Sequence, residues 1–329
     1  MTFKYKNVYI NDTGTVTGPY EKKGPLNNYF DKSYDDLYFG AKSWEQAETR
    51  LIEESVDILL KKMGKNRFDT DLHISGDLLN QIVSSNYAAA RLGIPLLGIY
   101  SACATSVEGI IIGANMIEAQ QIKNCICSVS SHNNAAEKQF RYPVEYGGPK
   151  PKTATFTTTG GASAYLSYDK KGIKVDSGTI GIVQDLAVKD AYHMGAVMAP
   201  AAGDTIFQHL NDTKREIDYY DLIVTGDLGV YGKAILVDYM QTEYGITLKN
   251  YDDTATMIYD LNEQPVYAGG SGPACAPLVT YGYIFKRMQK KQLNRVLLVA
   301  TGALLSPTMV NQKLSIPSIA HAISLEVIE

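Results

Sequence analysis

Cys103, in the run GIYSACATSVEG, is the residue of this chain best placed to do chemistry. It follows an apolar, strand-like stretch, IPLLGIYS, read as a buried strand, and it opens a helix-like one, VEGIIIGANMIEAQQ. A thiol at such an elbow lies beside the free amides of a helix N-terminus, which stabilise a thiolate and pull its pKa below about 8.5. The same position also fits a small core cysteine, because free Cys packs as a compact hydrophobe. Cys125 and Cys127 take that second reading: two apart in the strand-like KNCICSVSS, they project from one face into a core. Four cysteines in 329 residues are too sparse for a disulfide scaffold.

Other motifs fail on their chemistry. GVYGKA places Ala234 where a phosphate loop needs Ser or Thr, and it lacks the spacer between glycines. RFDTDLHISGD has neither the ligand spacing nor the closing Glu of a calcium loop. No two of the five His are spaced as a helical metal pair, so neither a metal nor a cofactor is expected. The basic run FKRMQKK complements the C-terminal end of a helix dipole more simply than it forms a membrane or partner patch.

The elements that must hold Cys103 come from an internal repeat. DLHISGDL (71–78) recurs as DLIVTGDL (221–228), and Ala102-Cys103-Ala104 recurs as Ala274-Cys275-Ala276. Each Cys opens a helix-like run that leads into a β-rich segment, NCICSVSS and RVLLVATG. SWEQAETRLIEESVDILLKKMG spaces its apolar residues as a helix and ends in Lys, Lys and Gly; LGVYGKAILVDYMQTEYG is a second strong helix. Strands alternating with helices imply an α/β protein of two duplicated halves, 1–170 and 171–329, each with a mixed, mainly parallel sheet. The segment 132–158 reads as a long irregular loop of the kind that carries function or an interface.

Composition closes off several classes. Lys and Arg total 31 against 35 Asp and Glu, a net charge of −4 that excludes a nucleic-acid-coating protein. With 45% apolar residues the chain can bury a core and is not disordered. MTFKYKNVYIND alternates like a strand and shows no signal peptide. GIIIGANMI and VLLVATGALL fall short of the roughly 20 residues a spanning helix needs, so a soluble protein is expected.

With a Cys elbow and a duplicated half, the sequence resembles the thiolase-like superfamily, and more closely the stage V sporulation AD family of spore-forming bacteria. The residues behind this are GPLNNYFDKSYDDLYFGAKSWEQAE (24–48), SACATSVEG (101–109), AEKQFRYPVEYG (136–147), HMGAVMAPAAGDT (193–205) and DLIVTGDLG (221–229). The resemblance implies a thiolase-like fold layered αβαβα and a homodimer joined through the first-half sheet. It also implies a subunit that binds dipicolinic acid, alone or with calcium, and works with membrane-embedded partners at the forespore or spore inner membrane.

Condensing members of the superfamily pair the Cys with a His and an Asn. Matched by eye, these positions fall on Gly226 and Gly270. A set reduced to its nucleophile loses most of its activity, because the members act as a unit. The expected protein is therefore a pseudo-enzyme with Cys103 as a vestigial nucleophile. The alternative is an acyltransferase or condensing enzyme using Cys103 with an unrecognised base, His132 or His193. A third reading is a structural subunit with a dead pocket. For a planar dianion the candidate ligand residues are Cys103, His132, Arg141, Tyr142, His193, Gly226, Gly270 and Ser271. Arg141 would clamp a carboxylate or serve a dimer interface, and the two glycines would leave room.

Overall fold

The computed structural model describes residues 1–140 and 150–328. The first run of strands is β1 (Thr2–Lys4), β2 (Tyr9–Thr17), β3 (Lys32–Ser33), β4 (Leu72–Gly76), β5 (Leu96–Gly98), β6 (Asn124–Ser131), β7 (Phe156–Thr157) and β8 (Gly160–Ser167). The second is β9 (Ile173–Ile180), β10 (Leu222–Thr225), β11 (Tyr251–Asp253), β12 (Gly270–Ser271), β13 (Arg295–Ala303) and β14 (Ser318–Val327). Twelve of them form one sheet in the order β11-β10-β13-β14-β9-β2-β8-β6-β4-β5, with β1 on β9 and β3 on β2, and β7 pairs separately with β12. Read from either outer edge inwards, both halves run third, second, fourth, fifth, first strand, and the two first strands, β9 and β2, meet antiparallel at Ile10–Ile173. The matched sequences 71–78 and 221–228 thus supply the second strand of each half, as a duplication requires.

The helices complete five layers. α1 (Pro19–Lys22) is a single turn, and α2 (Trp44–Met63) with α3 (Val83–Leu92) covers the first half-sheet. α2 starts where Ser43 Oγ accepts the Gln46 N–H (3.3 Å) and stops at Gly64 in the left-handed region, with Leu51, Ile52, Val56, Leu59 and Leu60 buried. α4 (Thr105–Glu118) lies in the middle, packed on β4, β6 and β8 of one half and on β9, β13 and β14 of the other. α5 (Asn133–Phe140) follows β6. α6 (Met194–Thr213) and α7 (Gly229–Tyr244) cover the second half-sheet, and α8 (Thr254–Met257) follows β11. The stretch equivalent to α4 is α9 (Cys275–Val279), a π-helical turn at Thr280–Ile284 and α10 (Phe285–Gln289). Thr280 Oγ1 donates back to the Ala276 carbonyl (2.8 Å), a side-chain competitor for the helical ladder at that point. Among the described residues no helix is long and apolar enough to cross a membrane.

Two sequence expectations change here. The run IPLLGIYS forms only the short edge strand β5, and Leu97 is 39% exposed. A continuous apolar run reads alike for a central strand and for an edge with one open side. The segment 132–158 is not all loop: it contains α5, whose start is capped by His132 Nδ1 accepting the Ala135 N–H (3.4 Å). Cys125 and Cys127 are buried with their sulfurs 3.9 Å apart, as the strand periodicity predicts.

A buried acid ties the halves together. Glu21 on α1 is fully buried; its Oε1 accepts the Thr159 N–H (2.9 Å) and the hydroxyl of Tyr259, while Oε2 has no hydrogen-bond partner among the described residues. Burial pushes this carboxyl up to about 7. The folded protein therefore keeps a proton that the unfolded chain releases near its ordinary value of 4.5, and stability falls as pH rises between the two. Glu21→Gln removes that penalty. Thermal melts should show the variant more stable than the parent by ~3 kcal/mol near pH 8 and nearly equal to it near pH 4.5.

Candidate functional site

The Cys103 elbow is built by its own backbone and by the opposite half. The Ala104 N–H donates to Ser101 O (3.0 Å), and Thr105 Oγ1 donates to Ala102 O (2.6 Å) while accepting the Ser101 N–H (3.0 Å). Ala102 takes a positive φ of 49°, a strained state for a residue with a Cβ. The turn presses on β13 at Gly302, where a Cβ would stand 2.3 Å from Ser101 O, so only glycine lets the halves close. From β14, His321 Nε2 lies 3.4 Å from Ser101 Oγ, and burial holds its ring neutral with a pKa of about 4.

Cys103, partly exposed, lines a cavity of about 60 Å³. The small parallel pair β7–β12 forms its wall, with Thr155 and Thr157 from the first half and Ser271 and Gly272 from the second. Met194 and Met198 of α6 close another side. The cavity opens past Leu78, Tyr100, Phe140 and Leu305 into an outer cleft of about 490 Å³. Thr155 Oγ1 is buried with no hydrogen-bond partner among the described residues. Glu137 also faces the cavity and is ion-paired with Lys150 (2.9 Å). Among the described residues no His, Asn, Lys or Arg lines the wall.

The second elbow is sealed. Cys275 opens α9 fully buried, and burial together with nearby Asp227 pushes its thiol well up. Asp227 lies between the elbows: Oδ2 accepts the Gly272 N–H (2.7 Å), and the Cys103 and Cys275 thiols stand beside the carboxyl. Burial holds that carboxyl well above the ordinary carboxylate range.

Of the residues expected from the sequence, the structure brings Cys103 and Ser271 together on the cavity wall. His132 is fully buried away from it, its Nε2 bonded to Leu37 O (2.8 Å), and burial lowers its pKa. His193 is the N-cap of α6, accepting the Ala196 N–H (3.4 Å), so neither histidine lines the cavity as a base. Gly226 and Gly270 do not open space there. A Cβ on Gly226 would meet Ala276 Cβ at 2.8 Å, and one on Gly270 would meet Cys275 Sγ and Ile258 Cγ2 at 2.9 Å each. At both positions the space is taken up by packing around the second elbow. Arg141 and Tyr142 lie outside the described residues. Sequence reasoning missed Asp227, although it directly follows Gly226 in the repeat, and missed the aromatic and Met walls, which carry no motif.

Comparison with known proteins agrees with this geometry. The family model described as stage V sporulation protein AD matches residues 1–326. The stage V sporulation protein AD of Bacillus subtilis (strain 168) is 47% identical over 320 residues, 97% of this chain and 94% of that protein. Among solved structures, an OleA variant from Xanthomonas campestris aligns at a TM-score of 0.64 with 15% identity, covering 98% of this chain and 99% of its own. The 3-oxoacyl-acyl-carrier-protein synthase III of Aquifex aeolicus aligns at 0.60 with 11% identity, covering 97% and 99%. At such identities these two establish the thiolase-like fold alone.

The wall depends on Gly272, which has a φ of 101° and stands where a Cβ would meet Ser131 Oγ at 2.8 Å. Gly272→Ala should cost on the order of 1–3 kcal/mol in urea unfolding. Gly64→Ala, at a helix end with φ of 63° where an added Cβ meets nothing within 4 Å, should cost only the backbone strain, about 1–2 kcal/mol.

Proposed function

Because the chain belongs to the stage V sporulation protein AD family, we propose that it serves sporulation as a non-enzymatic subunit that binds dipicolinic acid, alone or with calcium, for uptake into the spore. One observation carries the non-enzymatic part: the elbow keeps its cysteine in a real cavity whose described walls hold neither of the two side chains that condensation needs. What remains suits a small planar acid. Tyr100 and Phe140 offer flat apolar surface, and the hydroxyls of Thr155, Thr157 and Ser271 offer donors. The uncapped N-terminus of α4 favours a carboxylate, and Lys150 stands one ion pair behind the wall.

The same reading makes the protein peripheral to the forespore or spore inner membrane, reached through membrane-embedded subunits. It also makes it a homodimer. The open edge of β5, with Leu97 partly exposed and Tyr87 and Tyr100 near it in the chain, is the unpaired strand a second copy would use. An acyltransferase built on Cys103 remains the second reading. The shared fold favours it, and the absence of a histidine on the described wall weighs against it.

Calorimetric titration of the purified protein with dipicolinic acid, with and without calcium, should give saturable binding, and benzoate should bind more weakly. Ala303→Phe, at a partly exposed wall position, should weaken binding at least tenfold, about 1.4 kcal/mol. Absence of binding by the parent would overturn the reading, as would steady formation of a condensed product from acyl thioesters.

A further inference from the structure

The duplication provides an internal control for Asp227. In the repeat, DLHISGD aligns with DLIVTGD, so Asp77 and Asp227 are equivalent residues that follow the glycine after each second strand's core. Asp77 is consumed within its own half. It accepts the Leu79 N–H (2.9 Å) and both the N–H and the hydroxyl of Ser85 (2.8 Å each), fastening the start of α3. In the second half another carboxyl does the equivalent work. Asp253 accepts N–H groups from Leu228 (3.2 Å), Gly229 (3.0 Å) and Ala255 (3.1 Å).

Asp227 is thereby released from backbone duty except for the Gly272 N–H on Oδ2. Its Oδ1 has no hydrogen-bond partner among the described residues, although the residue is only 1% exposed. Its φ is 70°, a left-handed backbone for a non-glycine residue. An unpaired buried oxygen and a strained backbone are both costs, and both are kept at the point where the Cys103 thiol meets the second half.

We propose that Asp227 holds Cys103 in its protonated thiol form, so that an elbow with the geometry of a nucleophile serves as an uncharged wall. Only the wall function rests on the binding reading above; the proton coupling stands on the geometry. Among the described residues the titratable groups facing Asp227 are the Cys103 thiol before α4, the Cys275 thiol on α9 and the Asp253 carboxyl at the end of β11, and all are acids. Two adjacent acids titrate as a pair. The carboxyl is the stronger acid and ionises first. Loss of the second proton, from Cys103, would then put two negative charges in contact. An imidazole in place of this carboxyl would have the opposite effect and stabilise the thiolate.

The test is the pH profile of Cys103 alkylation by iodoacetamide in the intact chain, read by peptide mass spectrometry with Cys103→Ser as blank. In this reaction the thiolate sulfur attacks the methylene carbon, the C–I bond breaks, iodide leaves, and the thiol proton passes to buffer. The parent should react slowly at neutral pH, its rate still rising above about pH 9. Asp227→Asn cannot ionise and keeps an oxygen for Gly272. It should react at least tenfold faster near pH 7.5, with its profile displaced downwards by at least one pH unit. A parent profile that levels off below about pH 8 overturns the proposal even if the variant fails to fold, and so does an Asn variant with the parental profile. A protein that fails to bind dipicolinate yet has a silent thiol would sink only the functional reading. One that binds dipicolinate with a reactive thiol would sink only this proposal.

Discussion

α4 has to be apolar on opposite faces, because it fills the space between two half-sheets rather than resting on one. Val107, Ile110, Ile111, Ala114 and Ile117 are buried along one face and Gly109 and Gly113 along another, and strands of both halves touch it. A helix gripped by two half-sheets cannot shift to suit a ligand, since close-packed interiors do not deform continuously. Its N-terminus, and with it Cys103, is therefore fixed relative to both halves. The close approach of Ser101 O to Gly302 and the β7–β12 pairing follow from that fixed placement.

The interior around the elbows is acidic to a degree the net charge does not suggest. Glu21, Glu48, Asp77, Asp227 and Asp253 are all buried, and burial raises the pKa of each. They split into two kinds. Asp77 and Asp253 are surrounded by N–H donors and organise helix starts, whereas Glu21, Glu48 and Asp227 each keep an oxygen without a partner among the described residues. Groups of the second kind favour the neutral form of the site, so the cavity beside Cys103 sits in surroundings that resist negative charge on the protein.

The parts of this arrangement written in periodicity were legible in the sequence. The repeat predicted the equivalent second strands, the spacing and end signals of α2 predicted that helix, and GIYSACATSVEG predicted the elbow. Leu97 shows the limit of such patterns, because an apolar run does not say whether a neighbouring strand covers it. The glycines show another. Gly226 and Gly270 were read as leaving room for a ligand, but the sequence did not say that Ala276 and Ile258 fill the space beside them. His132 and His193 looked chemical because histidine often is, and each proved to be a helix cap. Asp227 was hidden by its similarity to Asp77. Only their hydrogen bonds distinguish a capping carboxyl from one turned toward thiols.

The β7–β12 pair also dictates when the cavity can exist. Its two strands, at Phe156–Thr157 and Gly270–Ser271, belong to distant parts of the chain and are held by very few residues on each side. Pairing over so large a loop brings a heavy closure entropy and little local reward, so it must wait until both half-sheets have condensed on α4. The cavity wall is thus among the last features to form on folding and among the first to open under stress. A nascent or partly unfolded chain could hold nearly all of its secondary structure and still have no pocket. Occupancy by a ligand would act as a late clasp, adding its binding free energy to a pairing of two residues on each strand.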